Sequence, residues 1–235
     1  MIIRQHNALQ RLYRCVVWVG IWMGIAVLGG PGLSQALEVA MLIDRMQETY
    51  DRTHALTADF VQIASLTSIN RQQTSAGRLS IEKPHYLRWE YTQPDSQTVL
   101  YDGTLLRIYT PKRQQVLQST IDENNRHNVA LLFLAGMGKL REAFTVSPLP
   151  TTDVTMQRLR LLPRSPQASF TELHIAVNTQ TYLIEHLSIH DTIGNVTDIQ
   201  LSSLQEHPSL PPGTFELTLP PQTEILTPAD VTGQR

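Results

Sequence analysis

The sequence predicts a mainly-β protein, with roughly a dozen antiparallel strands in one strongly curved sheet or barrel and a few helices over its mouth. Three observations carry this expectation. Apolar residues recur with period two in eleven separate segments after residue 57. The connections between most of these segments are short and rich in Pro, Gly, Asn and Asp, so neighbouring strands must run antiparallel. Only two stretches depart from the period, one before the first strand and one in the middle of the chain.

The first exception is LEVAMLIDRMQETYDRT (37–53), where Val39, Leu42, Ile43, Met46 and Tyr50 fall at helical spacing with charges between them. Strands follow at 58–66, 76–82, 86–92, 97–102, 105–110 and 114–120, separated by Lys83-Pro84, Pro94-Asp95, Asp102-Gly103 and Pro111-Lys112. The second exception, NRHNVALLFLAGMGKLREAF (125–144), has an unbroken apolar run from Val129 to Ala135 and then Gly136 and Gly138. It predicts two short helices hinged at the glycines. Strands resume at 155–162, 170–177, 182–190, 195–204 and 214–219, with hairpin turns at Asn178-Thr179 and Gly194-Asn195. Pro211-Pro212-Gly213 makes a longer crossing before the last of them.

Residues 1–36 stand apart. Arg4, Arg11 and Arg14 precede a 14-residue apolar core, Cys15 to Leu28, and Ser34 and Ala36 occupy the small-residue positions that a signal peptidase reads. A membrane anchor is the rival, but the core is short of the ~20 residues that span a bilayer. Gly29-Gly30-Pro31-Gly32 also interrupts it. The expectation is a cleaved signal peptide over 1–36 and a single exported domain over 37–235. That domain carries a net charge of −5 and no basic block, which argues against nucleic acid and anionic membrane surfaces as partners. The one cysteine, Cys15, leaves with the signal, so neither a disulfide framework nor a thiol nucleophile remains. Cys15 also opens the apolar core, where a lipid-attachment cysteine would follow it.

Recognisable chemistry is scarce. The chain has no G-x-S-x-G elbow, no H-E-x-x-H, no phosphate-binding G-x-x-x-x-G-K and no dinucleotide-binding glycine loop. His186 and His190 share a strand face and could chelate a metal with a third ligand. Histidines alternating outward into water explain the same pattern, and no metal site is assigned. Asp44 and Glu48 sit one turn apart on the polar face of the first helix, a pattern that suits a solvated surface. No catalytic residue and no cofactor emerge.

Taken in order, LTADFVQ (56–62), KPHYLRWEYTQPD (83–95), YDGTLLRIYTPKRQQ (101–115), VALLFLAGMGKL (129–140) and TFELTLPPQTEI (214–225) resemble the LolA family of periplasmic outer-membrane lipoprotein carriers. The resemblance implies an incomplete antiparallel β-barrel enclosing an apolar cavity, covered by the N-terminal helix and a helical lid insert. It implies a monomeric, non-enzymatic chaperone in the periplasm of a Gram-negative bacterium. Acylated lipoproteins would be received from an inner-membrane lipoprotein-releasing ABC transporter and passed to an outer-membrane lipoprotein receptor, with no cofactor.

On that resemblance, Phe60, Leu79, Ile81, Leu87, Trp89, Tyr91 and Val99 are the expected acyl-chain lining, and Leu131, Leu132 and Phe133 the lining of the lid. Each of these side chains could equally be ordinary packed core. Lys83 stands where the family usually has an arginine that latches the lid. Lysine keeps the charge but loses the planar fork, so the closed state should be looser, or Arg88 or Arg78 should supply the latch. Two other classes remain open at this level: a lipid- or lipoprotein-sensing regulator of the same fold, and a lipid hydrolase.

Overall fold

The computed structural model describes residues 31–120, 139–166 and 169–232. The chain divides into two units, Met1–Glu38 and Val39–Arg235. Of the first, only the opening of helix α1 (Pro31–Arg52) is described; every side-chain contact below lies in the second. The start of α1 at Pro31 suits a residue whose fixed φ and missing N–H cost nothing in a first turn. The expected cleavage after Ala36 falls within this helix.

Among the described residues, the second unit holds twelve strands. β1 (Ala55–Leu66), β2 (Arg71–Glu82), β3 (Tyr86–Gln93), β4 (Gln97–Asp102), β5 (Leu105–Thr110) and β6 (Gln115–Thr120) form one meander. After the short helix α2 (Leu140–Ala143) come β7 (Phe144–Leu149), β8 (Met156–Pro163), β9 (Glu172–Asn178), β10 (Ile184–His190) and β11 (Val196–His207). β12 (Glu224–Leu226) and helix α3 (Pro228–Thr232) close the chain. The two meanders join where β1 pairs β11, giving a single sheet in the order β12-β6-β5-β4-β3-β2-β1-β11-β10-β9-β8-β7. Every pair is antiparallel except β12 with β6. The sheet is open rather than closed on itself, in keeping with the incomplete barrel expected.

Local chemistry fixes the turns and register. At Asp102-Gly103 the glycine takes φ +93°, and Asp102 Oδ1 accepts the N–H groups of Thr104 and Leu105 at 3.0 and 2.9 Å. The Asp191 carboxylate does the same for Ile193 and Asn195, 2.9 and 2.7 Å, around Gly194. Gly77 sits at a register shift between β2 and β3, where a Cβ would fall 1.8 Å from the Glu90 carbonyl oxygen. Only glycine admits that approach.

Alternation along the strands makes one face of the sheet apolar. Cross-strand partners continue it in rows: Ala58, Leu79, Trp89, Val99, Ile108 and Leu117 form one such row from β1 to β6. Leu201, Ile199, Leu187, Ile175 and Leu159 carry the same face through β11 to β8. Helix α1 lies against it through Ile43 and Met46, both buried, with Val39, Leu42 and Tyr50 half-buried beside them. α2 joins α1 through the Arg141–Asp44 ion pair (2.6 Å), an Arg141 bond to the Ala40 carbonyl (2.7 Å) and a bond from Leu140 N–H to Gln47 (3.3 Å). Asp44 is therefore a docking group rather than merely a solvated one.

Three expectations need correction. TFELTL (214–219) is not a strand. It belongs to a strap crossing the other face of the sheet, where Arg88 takes the Thr214 and Glu216 carbonyls at 3.3 and 3.0 Å and the Tyr86 and Phe215 rings meet at 5.2 Å. The strap hides Leu100, Ser80 and Thr98 on that face. Phe144, expected at the end of a helical insert, starts edge strand β7, which tolerates Pro148 as edge strands do. The final strand is instead the three-residue β12. Of the insert 125–144, residues 125–138 lie outside the described residues, as do Leu131, Leu132 and Phe133.

Candidate functional site

The apolar face carries one continuous core cluster, and six expected lining residues converge on it. Phe60, Leu79, Ile81, Leu87, Trp89 and Val99 belong to one core cluster with α1, and all are at least nine-tenths buried. Tyr91 packs at its margin. Phe60 is the hub: its ring lies 4.6 Å from that of Trp89, tilted by 46°, and 5.1 Å from that of Tyr91, nearly edge-on at 84°. Gly77 stands between Phe60 and Tyr91 in the ladder, so no side chain separates the two rings.

Polar atoms on this face are few. The Tyr91 hydroxyl donates to Gln62 Oε1 at 3.1 Å. Burial pushes its pKa up, against opposing pulls from Gln62 and the Trp89 indole. The Trp89 Nε1 is buried and meets no acceptor at hydrogen-bond geometry. It lies close enough to the Tyr91 hydroxyl to favour the phenolate slightly without bonding it.

Helix α1 is tied to the sheet at its C-terminal end. The Lys83 ammonium donates to the Tyr50 carbonyl and, at 3.2 Å, to the Asp51 carbonyl, the unsatisfied end of the helix. Thr53 Oγ1 bonds the Thr49 carbonyl (2.7 Å) and the Glu206 carboxylate (2.9 Å). The Tyr50 hydroxyl accepts Ile184 N–H at 3.4 Å, and burial raises its pKa to about 12, with the Glu206 charge adding to the effect and the Ile184 bond opposing it. Burial lowers the Lys83 pKa, partly offset by Asp51. Lys83 thus grips α1, while any grip on the insert lies outside the described residues. Arg88 and Arg78, offered as substitute latches, sit on the opposite face, Arg88 held by the strap and by Glu90 at 3.1 Å.

Sequence reasoning took the expected wall residues from β1–β4 alone, with Leu131, Leu132 and Phe133 for the lid. The structure adds Leu159, Ile175, Leu187 and Ile199 from the second meander, whose alternation carried the same signal. His186 and His190 do not converge: His186 turns to Asp198, 3.5 Å away, and His190 to His174. On the opposite face, two grooves of about 570 and 670 Å³ flank the strap, the first largely polar along Arg88, Glu90 and Thr98, the second mixed, along Arg78 and His207 with Leu210, Pro211 and Pro212.

A wide open antiparallel sheet, apolar on one side and covered there by a helix tied to the sheet at its C-terminal end and to α2 along its other half, defines a β-protein built around a large hydrophobic face. The chain belongs to the LolA family: the model for "Outer membrane lipoprotein carrier protein LolA" matches residues 51–218. It is 30% identical over 184 residues to the outer-membrane lipoprotein carrier protein of Bordetella avium, covering 78% of this chain and 86% of that one. To the protein of the same name from Azotobacter vinelandii it is 25% identical over 194 residues, 83% and 92% of the two chains. A crystal structure of an uncharacterized conserved protein from Thermus thermophilus superposes with a TM-score of 0.51 at 10% identity, covering 81% and 99%. That likeness concerns the fold alone.

Proposed function

We propose that this protein is a periplasmic carrier that shields the acyl chains of lipoproteins on the apolar face of its sheet between two membranes. What supports it above all is the continuity of that face from β6 to β8, beneath a helix tied down near Tyr50–Thr53. Membership of a family named for lipoprotein carriers supports it independently.

The energetics favour exchange. An exposed acyl chain of about sixteen carbons costs on the order of 12 kcal/mol in water, at ~0.8 kcal/mol per methylene. Ile43 and Met46 together contribute about 3–6 kcal/mol by being buried against the sheet. A chain that lifts α1 and takes its place therefore gains more apolar burial than the helix loses. Once the contacts of Ala40, Asp44 and Gln47 with α2 are released, the tether at the C-terminal end keeps α1 attached as it swings. In this scheme Leu131, Leu132 and Phe133 complete the lid, Lys83 biases the empty protein toward closure, and residues 1–36 are removed after export.

Loading is driven by the inner-membrane releasing transporter, and unloading by an outer-membrane receptor that binds the same chains more tightly. The carrier makes and breaks no covalent bond. Incubation of the purified protein with spheroplasts tests this. Release of lipoproteins in one-to-one soluble complexes is expected. Release of free fatty acid would identify a hydrolase, and release of neither would favour a sensor; each of those outcomes overturns the proposal.

A further inference from the structure

We propose that Glu172, His174 and His190 form a binding site for one zinc-class divalent cation on the polar face of the sheet, bridging β9 and β10. The ladder brings them together: Glu172 lies opposite His190, and His174 opposite Ser188. One ligand atom from each falls within 4.8 Å of the others. His174 Nε2 is 2.9 Å from Glu172 Oε1, and the two imidazole rings have centroids 4.4 Å apart.

Zinc–nitrogen and zinc–oxygen distances of about 2.0–2.2 Å put neighbouring tetrahedral ligands roughly 3.3 Å apart. The Glu172–His174 pair, at 2.9 Å, is a few tenths of an ångström tighter than that and needs only to open slightly. His190 has further to come, its ligand atom lying within 4.8 Å of the other two. Its present polar neighbour is the Ser188 hydroxyl at 3.4 Å, a long contact that is readily given up.

Arg160 is the obvious competitor, and its geometry leaves the site open. Both Nε, at 2.7 Å, and Nη2 of Arg160 go to Glu172 Oε2. Oε1 faces His174 and would take the cation in exchange for its present 2.9 Å contact with His174 Nε2, and the guanidinium orients the carboxylate from behind, as outer-shell partners of metal ligands do. Ligation through His174 Nε2 needs the tautomer that carries its proton on Nδ1, so the cation takes the place of the proton now shared between Nε2 and Glu172 Oε1. Two imidazoles and one carboxylate suit zinc, copper or nickel rather than calcium or magnesium. With three protein ligands, the fourth position falls to water. The apolar face is on the other side of the sheet, so cation binding and acyl binding are separable.

Titration of tag-free, chelator-treated protein with Zn2+, in competition with a chromophoric chelator, tests the site. One equivalent per chain is expected, weakened about tenfold or more in His190→Gln and in His174→Gln, and unchanged in His186→Gln. Far-UV circular dichroism checks the fold of each variant. Imidazole nitrogen shifts of the unmodified protein should move first at His174 and His190, which keeps the proposal testable without any substitution. No zinc bound, equal weakening in His186→Gln, or first shifts at other histidines would overturn it.

Discussion

Lys83→Met should loosen α1 without loosening the sheet. The substitution keeps the aliphatic stem and deletes the ammonium that donates to the Tyr50 and Asp51 carbonyls. A hydrogen bond from a charged donor contributes about 1.5–3 kcal/mol when well buried. Lys83 is only partly buried, so solvent screening reduces the pair of bonds to about 1–2 kcal/mol in total. Since 1.4 kcal/mol is a factor of ten, the lifted population of α1 should rise roughly tenfold. Hydrogen exchange read by mass spectrometry should show amides across Ile43–Asp51 exchanging about tenfold faster, while those of β9 and β10 keep their protection. Lys112→Met, which removes an exposed 3.2 Å pair with Asp95, serves as the control and should change neither region. Unchanged exchange in α1 would show that Lys83 has no hold on the helix. Equal acceleration in β9 and β10 would show global destabilisation instead, and either result refutes the reasoning.

Three further outcomes follow from single residues. Gly77→Ala places a Cβ 1.8 Å from a backbone oxygen, so chemical denaturation should show a loss of about 3 kcal/mol or more. Tyr50 has its folded pKa raised to about 12 from an unfolded value near 10. Its contribution is whole below pH ~10 and is lost as pH rises toward 12. Alkaline unfolding followed by circular dichroism should begin at higher pH in Tyr50→Phe. Asp102 has its pKa lowered, since bonds from Leu105, Thr104 and Arg107 outweigh the desolvation that raises it. Asp102→Asn should therefore cost about 1 kcal/mol or less at neutral pH, and its deficit against the unmodified protein should vanish as pH falls below about 4.

The first meander was the most legible part of the chain because each strand there is bounded by a turn pair and has uninterrupted alternation. Strands were predicted too short where their ends are polar: β2 starts at Arg71 rather than Ala76, and β11 runs to His207 rather than Leu204. Ladder hydrogen bonds do not need apolar side chains, so composition alone misses such ends. TFELTL alternates as a strand does, yet its carbonyls are claimed by the Arg88 side chain, which no local pattern could announce. β7 was hidden by Pro148 and by a preceding helical turn. That Phe60, Leu79, Ile81, Leu87, Trp89 and Val99 share one apolar face could be read from period two, but which helix residues pack on them could not. Helix 37–53 was legible as amphipathic, whereas the tether at Lys83 joins residues 32 and 33 positions apart in sequence. The His174–His190 contact depends likewise on hairpin register, which emerges only when β9 and β10 are aligned from their turn.

Photo-crosslinking in the periplasm addresses the central claim most directly, with p-azidophenylalanine in place of Tyr91 on the apolar face or of Tyr109 on the polar face. Adducts with acylated polypeptide should form from position 91 and not from position 109. Adducts from 109 alone, or from both positions equally, would mean that fatty tails do not travel on the side of the sheet that α1 covers.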